Sequence, residues 1–472
     1  MASLSNGVPA GQEAMVEDAS AEMPAPSDES YERRERPQYG SVEQLPIDLP
    51  TVIELIDRDS PTIGIARARV REAHARLQLA ELQWIPNLTV GVAYNRFDGQ
   101  TQNQRGDVFS VSRSNLFGGG GPALALDTAE AYYRPLIEKR LLSAERLRTQ
   151  SVAARTELDG VTAYLDLVQL HATKLINEEI LQRSQEMLVA AKNAREAKLD
   201  RSAGDVHRAQ TEVLVRRAER IEIEAKILAA SARLAGLLSL APCVRLTPVD
   251  SPLVPMELID ASTTLDQLVQ SALSSRPDLA SNRQLLAAAW ERVRRQENGM
   301  RYPKIMLGDQ FGTYGGGTNA DLGQFDSRNV IGVQLLWEIK NLGLGNQTET
   351  LERRAVAEQA RQQVLESQTR AIAEIVEVAH LAAAKYEVID LAEQAVAESM
   401  ELYRINKEGT LNVVDAKNLF DALRPLQSIQ ILNQSKVNYL SAVIEFNKAQ
   451  FRLYTLVGQD SRRAIGRVEN GE

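Results

Sequence analysis

The residues of this chain that could act chemically on a substrate are few and poorly grouped. The four histidines, His74, His171, His207 and His380, fall in separate segments with no second histidine at i+4, so none has the spacing that brings two imidazoles to one metal. Cys243 is the only cysteine, which excludes an intrachain disulfide and a cysteine-based zinc site. Two glycine runs, FGGGGP at 117–122 and YGGGTNADLG at 314–323, have the permissive backbone of a phosphate loop but no following Lys-Ser/Thr. Both read as loops. Asp205, after Gly204 in SAGDVHRAQ, and Asp415, six residues after Gly409 in EGTLNVVDAKN, stand beside turn signals, where a carboxylate caps backbone N–H groups and suits the helix dipole. No acid, base and nucleophile converge, so no enzyme and no cofactor is expected.

The elements that carry these residues are unusual. Of 472 residues, 44% are hydrophobic but only 5% aromatic. A core of Ala, Leu, Ile and Val interleaved with Glu, Arg and Gln is the composition of packed long helices. A net charge of −9 argues against nucleic acid as a partner, because such binding needs clustered cations to displace phosphate counterions. No run of eighteen apolar residues is present, and residues 1–50 hold no apolar segment of the signal-peptide type. The first forty-five residues, mixed from Glu, Asp, Ser, Pro and Gly, read as a disordered tail.

One plan is written twice. Pro61 and Pro277 each open a helical stretch that ends at a second proline, Pro86 or Pro303, after 25 or 26 residues. A strand, a Gly/Asn/Asp-rich loop and a second strand follow. A breaker, Pro135 or Gly343, then leads into a helical run of 69 or 66 residues that reaches Gly204 or Gly409. Ile372, Ile375, Ala379, Ala382, Tyr386 and Ile389 recur at alternating steps of 3 and 4, a coiled-coil seam, as do Val161, Leu165, Val168 and Ala172. Helices of this length reach roughly 90 to 100 Å. The domain plan is a tail at 1–45, repeat 1 at 46–245, a linker at 246–261, repeat 2 at 262–460 and a tail at 461–472.

The strands are expected at about 87–97, 123–133, 304–314 and 328–340. Leu88, Val90 and Val92 share one face of the first, opposite Thr89, Gly91 and Ala93; Val333, Leu335 and Trp337 share one face of the last. Asp309 breaks the pattern, because it has the parity of Ile305 and Leu307. About ten residues is the span of a tilted membrane strand, and an apolar face opposite a small or polar one suits lipid outside and water inside. Four strands cannot close a barrel, for which about eight are needed, so the chain has to associate. The alternative reading is a soluble coiled-coil scaffold capped by a small β-subdomain.

The doubled plan, together with RPDLASNRQLLAAAWERV, YPKIMLGDQFGTYGGG, VQLLWEIKNLGLGN, AGDVHRAQTEV and YLSAVIEFNKAQFRLYTLVG, resembles the TolC-like outer-membrane efflux proteins across roughly residues 48–460. The resemblance implies a mainly α fold with a transmembrane β-hairpin region. Long antiparallel coiled coils form a trimeric α-barrel continuous with a twelve-stranded β-barrel, four strands coming from each chain. It also implies an outer-membrane location spanning the periplasm, and a passive exit duct of a tripartite efflux pump or type I secretion system. The implied partners are a homotrimer, a periplasmic adaptor, an inner-membrane transporter and membrane lipid. WEIK then ends a membrane strand, and NLGLGN turns it into the tunnel at Gly343 and Gly345, with Pro135 at the matching junction. Gly204 and Gly409 become tip turns, and Asp205 and Asp415 contribute to acidic rings that narrow the periplasmic mouth. The stretch from Gly409 to Gly458 is about twelve residues longer than its counterpart. A tip nearer Pro425, with that proline at N1 of the return helix, makes Asp421 the acid nearest the mouth.

Overall fold

The computed structural model describes residues 44–197, 204–241, 244–249, 254–260, 262–411 and 422–459, all within one structural unit with no division at 246–261. The doubled plan is visible element by element. In the first half, β1 (Gln44–Ile47) leads to α1 (Leu49–Asp59) and α2 (Pro61–Glu81). The hairpin β2 (Asn87–Gln102) and β3 (Val108–Asp127) follows, then α3 (Thr128–Glu196) and α4 (Asp205–Leu237). In the second, β4 (Arg245–Pro248) precedes α5 (Leu265–Ser275), α6 (Pro277–Asn298), the hairpin β5 (Lys304–Thr318) and β6 (Gly323–Leu336), α7 (Leu344–Leu411) and α8 (Leu423–Leu456).

The helix boundaries follow local chemistry. Asp48 accepts the Thr51 N–H at 3.0 Å to start α1, and Thr264 forms a reciprocal capping box with Gln267 to start α5. Pro61 and Pro277 occupy the first turns of α2 and α6, where the missing N–H costs no intrahelical bond. The return helices α4 and α8 end alike. Ser239 and Gly458 adopt left-handed backbone, and the next residue's N–H reaches back to Ala235 and Tyr454 respectively, the Schellman arrangement that reverses a chain.

The four long helices come in matched lengths, 69 and 33 residues against 68 and 34, so α3 alone extends about 100 Å. The sequence difference between the halves therefore does not lie in the return helix; it arises because Gly204 immediately precedes α4, whereas Gly409 lies inside α7. Pro425 falls at the third position of α8. Along α3 pack α2 and α4 on one side and α6 and α8 on the other, with α1 across it. Along α7 pack α6, α8 and α5. The buried residues of α7 are Ala357, Ala371, Ile375, Val378, Ala382, Ile389, Ala392, Ser399 and Tyr403. They share Ile375, Ala382 and Ile389 with the expected seam, but the other positions are displaced. Ile372 and Tyr386 are exposed, because α7 turns a narrow face to α8 and leaves the adjacent one open.

The hairpins make one antiparallel sheet in the order β2-β3-β5-β6, and β1 pairs in parallel with β4. The strands differ in extent from the sequence reading: the first and third run on to Gln102 and Thr318, the second is 108–127 with 128–133 already helical, and the fourth is Gly323–Leu336, so that WEIK lies past its end. The glycine runs are not loops. Gly118–Gly121 lie inside β3, all paired with β2 and the first three also with β5, and Gly315–Gly317 lie inside β5. A Cβ at Gly120 would overlap the Thr89 carbonyl, and one at Gly121 the Asp309 carbonyl, so the run is required by close strand approach. The actual turns are polar. At the first, the Asn103 side chain accepts the Arg105 and Asp107 N–H groups at 3.0 and 2.9 Å.

Where α1 crosses α3, Gly160 faces Val52 and Ile56, and a Cβ there would overlap Ile56 Cδ1. Gly160→Val is expected to destabilise the chain by about 1–3 kcal/mol through overpacking. Ile56→Ala should restore part of that loss when combined with it. Thermal melts of the single and double variants check this; additive losses would mean that the crossing is not tight.

Candidate functional site

Three regions carry the sequence-derived candidates: the sheet, its junctions with the helices, and the far ends of the helices. On the sheet, register puts Leu88, Val90, Val92 and Tyr94 on one face with Leu116, Phe311, Ile331, Val333 and Leu335. Val90 is 81% exposed and Val92 76%, with Leu88, Ile331 and Val333 at similar levels. Trp337 lies one residue past β6 and is also exposed. Asp309 shares this face, opposite Ile331. The other face carries Thr89, Gly91, Ala93 and Asn95 beside Gly119, Gly312, Gln310 and Gln334. Toward the turns it holds aromatic rings with guanidinium groups above them, Arg113 over Phe97 and Arg328 over Tyr314. Both outer strands, β2 and β6, have one unpaired edge.

The first junction is abrupt. β3 ends at Asp127, whose carboxylate accepts the Glu130 N–H at 3.0 Å and so caps α3. Thr128 donates both its N–H and its hydroxyl to the Pro303 carbonyl, tying the helix start to the entry of β5. Pro135 is therefore not the junction. It lies two turns inside α3, where a 69-residue helix tolerates one missing hydrogen bond. The second junction is a turn at Lys340–Gly343 in which Asn341, Leu342 and Gly343 all have positive φ, at 49°, 56° and 96°. Left-handed backbone is unfavourable for leucine by roughly 1–2 kcal/mol, and Leu342 is 97% exposed. Lys340 holds the turn to α7 through Glu349 at 2.8 Å. Gly345 lies in the first turn of α7 against Lys340.

At the far ends, Gly204 is the N-cap of α4 and Asp205 its first residue. Asp205 is 1% exposed and accepts from Arg208 at 2.9 Å. Its carboxylate is thus turned into the chain's own packing at a helix start. Gly409 is not a turn residue. It is exposed and helical inside α7, which continues to Leu411. Asp415 and Asp421 lie outside the described residues.

Sequence reasoning missed the polar core beside these ends. Arg216 is buried with Glu212 at 2.7 Å and reaches Glu219 at 2.8 Å. Gln430 of α8 donates to Glu212, and Asn177 of α3 to Glu219. Glu179 pairs with Lys436 and Arg183, which hold its carboxyl below the usual range although burial opposes ionisation. That contribution is lost as pH falls through the depressed value. Lys407 of α7 reaches Glu186 of α3 at 2.9 Å, and Arg183 lies over the Tyr403 ring. The i,i+4 spacing of Glu212 and Arg216 was readable; their burial depends on α3 and α8 arriving together.

Solved structures that superpose on this chain include outer-membrane channels. The outer-membrane channel OprN superposes with a TM-score of 0.73 at 19% identity, over 88% of this chain and 90% of that one. The outer membrane protein VceC of Vibrio cholerae gives 0.68 at 17% identity, over 87% and 96%. The CmeC outer membrane channel of Campylobacter jejuni gives 0.70 at 14% identity, over 89% and 88%. No family model matches the sequence, and no curated protein does. The likeness is one of fold along nearly the whole chain.

Two glycines with different roles provide a test. Gly343→Val, at a left-handed position, is expected to destabilise the chain by about 1–2 kcal/mol. Gly409→Ala, in an exposed helix, is expected to stabilise it by about 0.5–1 kcal/mol. Calorimetry in detergent checks both, and a destabilising Gly409→Ala would mean that the chain turns there.

Proposed function

We propose that this chain is the subunit of a passive exit duct in an outer membrane. In this reading it continues across the periplasm as a helical tunnel and receives cargo from an inner-membrane transporter through a periplasmic adaptor. One observation carries the proposal: a sheet whose exposed face is aliphatic and whose two edges are open runs directly into helices about 100 Å long. In water such a sheet would be an aggregation surface; in a bilayer it is a barrel wall that lacks only its remaining strands. Three copies joined β6 to β2 supply twelve strands, and the polar, glycine-rich face then lines the lumen.

The helices support the same assembly. Leu381, Val388, Leu391 and Ile405 of α7 are exposed, as are Leu214, Val215, Ile221 and Leu228 of α4. These are the two lateral flanks of the helical layer, and they would meet between neighbours. That the similar folds are channels, and that OprN and CmeC are described as outer-membrane channels, supports transport in place of catalysis. A soluble scaffold would leave the aliphatic sheet face in water.

The lipid-facing set in this reading is Leu88, Val90, Val92, Val333, Leu335 and Trp337. Asp415 and Asp421 gather around the threefold axis at the mouth, where like charges at a constriction attract cations. Asp205, turned inward, supports the start of α4 instead.

The test is reconstitution. The purified chain should run as a trimer that requires detergent, and it should conduct in a planar bilayer. Val90→Arg should cost about 2–4 kcal/mol if it lies near the midplane, while Ala93→Arg on the lumen face should cost little. Asp415→Asn with Asp421→Asn should reduce cation preference. A soluble monomer without conductance would overturn the duct. Unchanged selectivity would remove the mouth assignment alone.

A further inference from the structure

The two open edges of the sheet end differently at the helices. β3, β5 and β6 run in register down to Asp127, Lys304 and Leu336, but β2 begins at Asn87, opposite Ala123. Residues 124–127 therefore have no strand beside them on that edge among the described residues, and a groove of about 630 Å³ opens beneath β2. Leu126 is its buried floor, and Leu79, Leu82 and Ile85 form a wall. All three wall residues are more than half exposed, so the chain leaves this wall uncovered.

The β6 edge carries the opposite feature. Past Leu336 the chain continues into the turn Lys340–Gly343, where Ile339 and Leu342 are exposed, Leu342 almost wholly. Asn341, Leu342 and Gly343 all have left-handed backbone. Asparagine and glycine suit that conformation, and leucine does not. The turn itself thus gives no reason for a leucine at 342, and its side chain meets almost nothing within its own chain.

We propose that the groove beneath β2 receives Leu342 and Ile339 of a second copy of this chain. The inference rests on the trimeric duct reading and specifies a contact within it. Strand direction supports the pairing. β2 and β6 run in opposite directions in the sheet, so a β6 laid antiparallel beside the next copy's β2 brings its C-terminal end to that strand's start. The groove adjoins that start at Pro86 and Asn87, and the turn follows that end. Where one edge falls short, the other carries aliphatic side chains that would fill the gap, and one contact takes both apolar surfaces out of solvent. The chain cannot supply Leu342 to its own groove, because two strands separate β2 from β6, a distance of about 14 Å.

The test is disulfide trapping of the full chain in lipid vesicles, with Cys243→Ala as background. Leu342→Cys with Leu82→Cys should oxidise to a covalent three-chain species at least tenfold faster than Leu342→Cys with Ile65→Cys, an exposed site on α2 about 25 Å away along the helix. Leu342→Gly suits the left-handed backbone, so circular dichroism should show intact helices while the monomer fraction on dilution in detergent rises at least tenfold. Leu82→Ala should act in the same direction, and the two together should add little to either alone. Equal oxidation rates at Leu82 and Ile65, links only within one chain, a Leu342→Gly trimer as stable as the parent, or additive losses would overturn the contact. Light scattering of the parent chain separates this result from the reading beneath it. A trimer without the Leu342 link overturns the contact alone, and a monomer overturns both.

Discussion

The rest of the structure depends on one unmet requirement: every backbone N–H and C=O in a nonpolar medium needs a partner, and this sheet leaves two edges without one. Four strands of 14 to 20 residues satisfy one another internally, but β2 and β6 present unpaired rows on opposite sides. In the proposed membrane setting their aliphatic face meets lipid, and four strands are too few to close a tube. On the proposed reading, association would follow from the backbone before any side chain is considered. The glycine stripe fits this requirement, since close approach at Gly120 and Gly121 lets adjacent strands draw together where a side chain would hold them apart.

The constraint passes down the helices. Because each hairpin runs into a long helix, the lateral order of the sheet is continued as a lateral order of helices, α2 with α4, then α3, then α6 with α8, then α7. The inner helix α3 is wrapped on both sides and buries residues around much of its circumference. At the margin, α7 buries a narrow seam and leaves Leu381, Leu391 and Ile405 exposed. The buried Glu212–Arg216 pair, joined by the partly exposed Glu219 and by Gln430 and Asn177, fixes α4 against α3 and α8. Buried ion pairs add little net stability but are costly to break, so this cluster specifies an arrangement more than it strengthens one.

Much of this was legible in the residues, and the failures have physical causes. Pro61 and Pro277 marked helix starts because proline's missing N–H is harmless in a first turn. The same reasoning failed at Pro135, where a long helix with partners on both sides outweighs one local penalty. Glycine runs suggested loops because glycine is permissive, yet here steric approach between strands selected it, a property of neighbours distant in sequence. The seam on α7 was found in its period but shifted at alternate positions, since period alone does not say where the neighbouring helix lies. The inward turn of Asp205 and the burial of Arg216 were not legible, because both depend on three helices meeting. The match in fold with channels at 14–19% identity shows how little side-chain identity this backbone plan demands.

The most direct test of the account is whether the two open edges meet between copies. With Cys243→Ala as background, cysteines placed singly along β2 from Thr89 to Ala93 would be combined with cysteines along β6 from Val330 to Gln334. Oxidation in membranes would be followed by denaturing electrophoresis. The account predicts that one register of pairs links neighbouring chains and yields a covalent three-chain species, with no link inside a chain. Absence of interchain linkage at every pair, or linkage only within single chains, would contradict it.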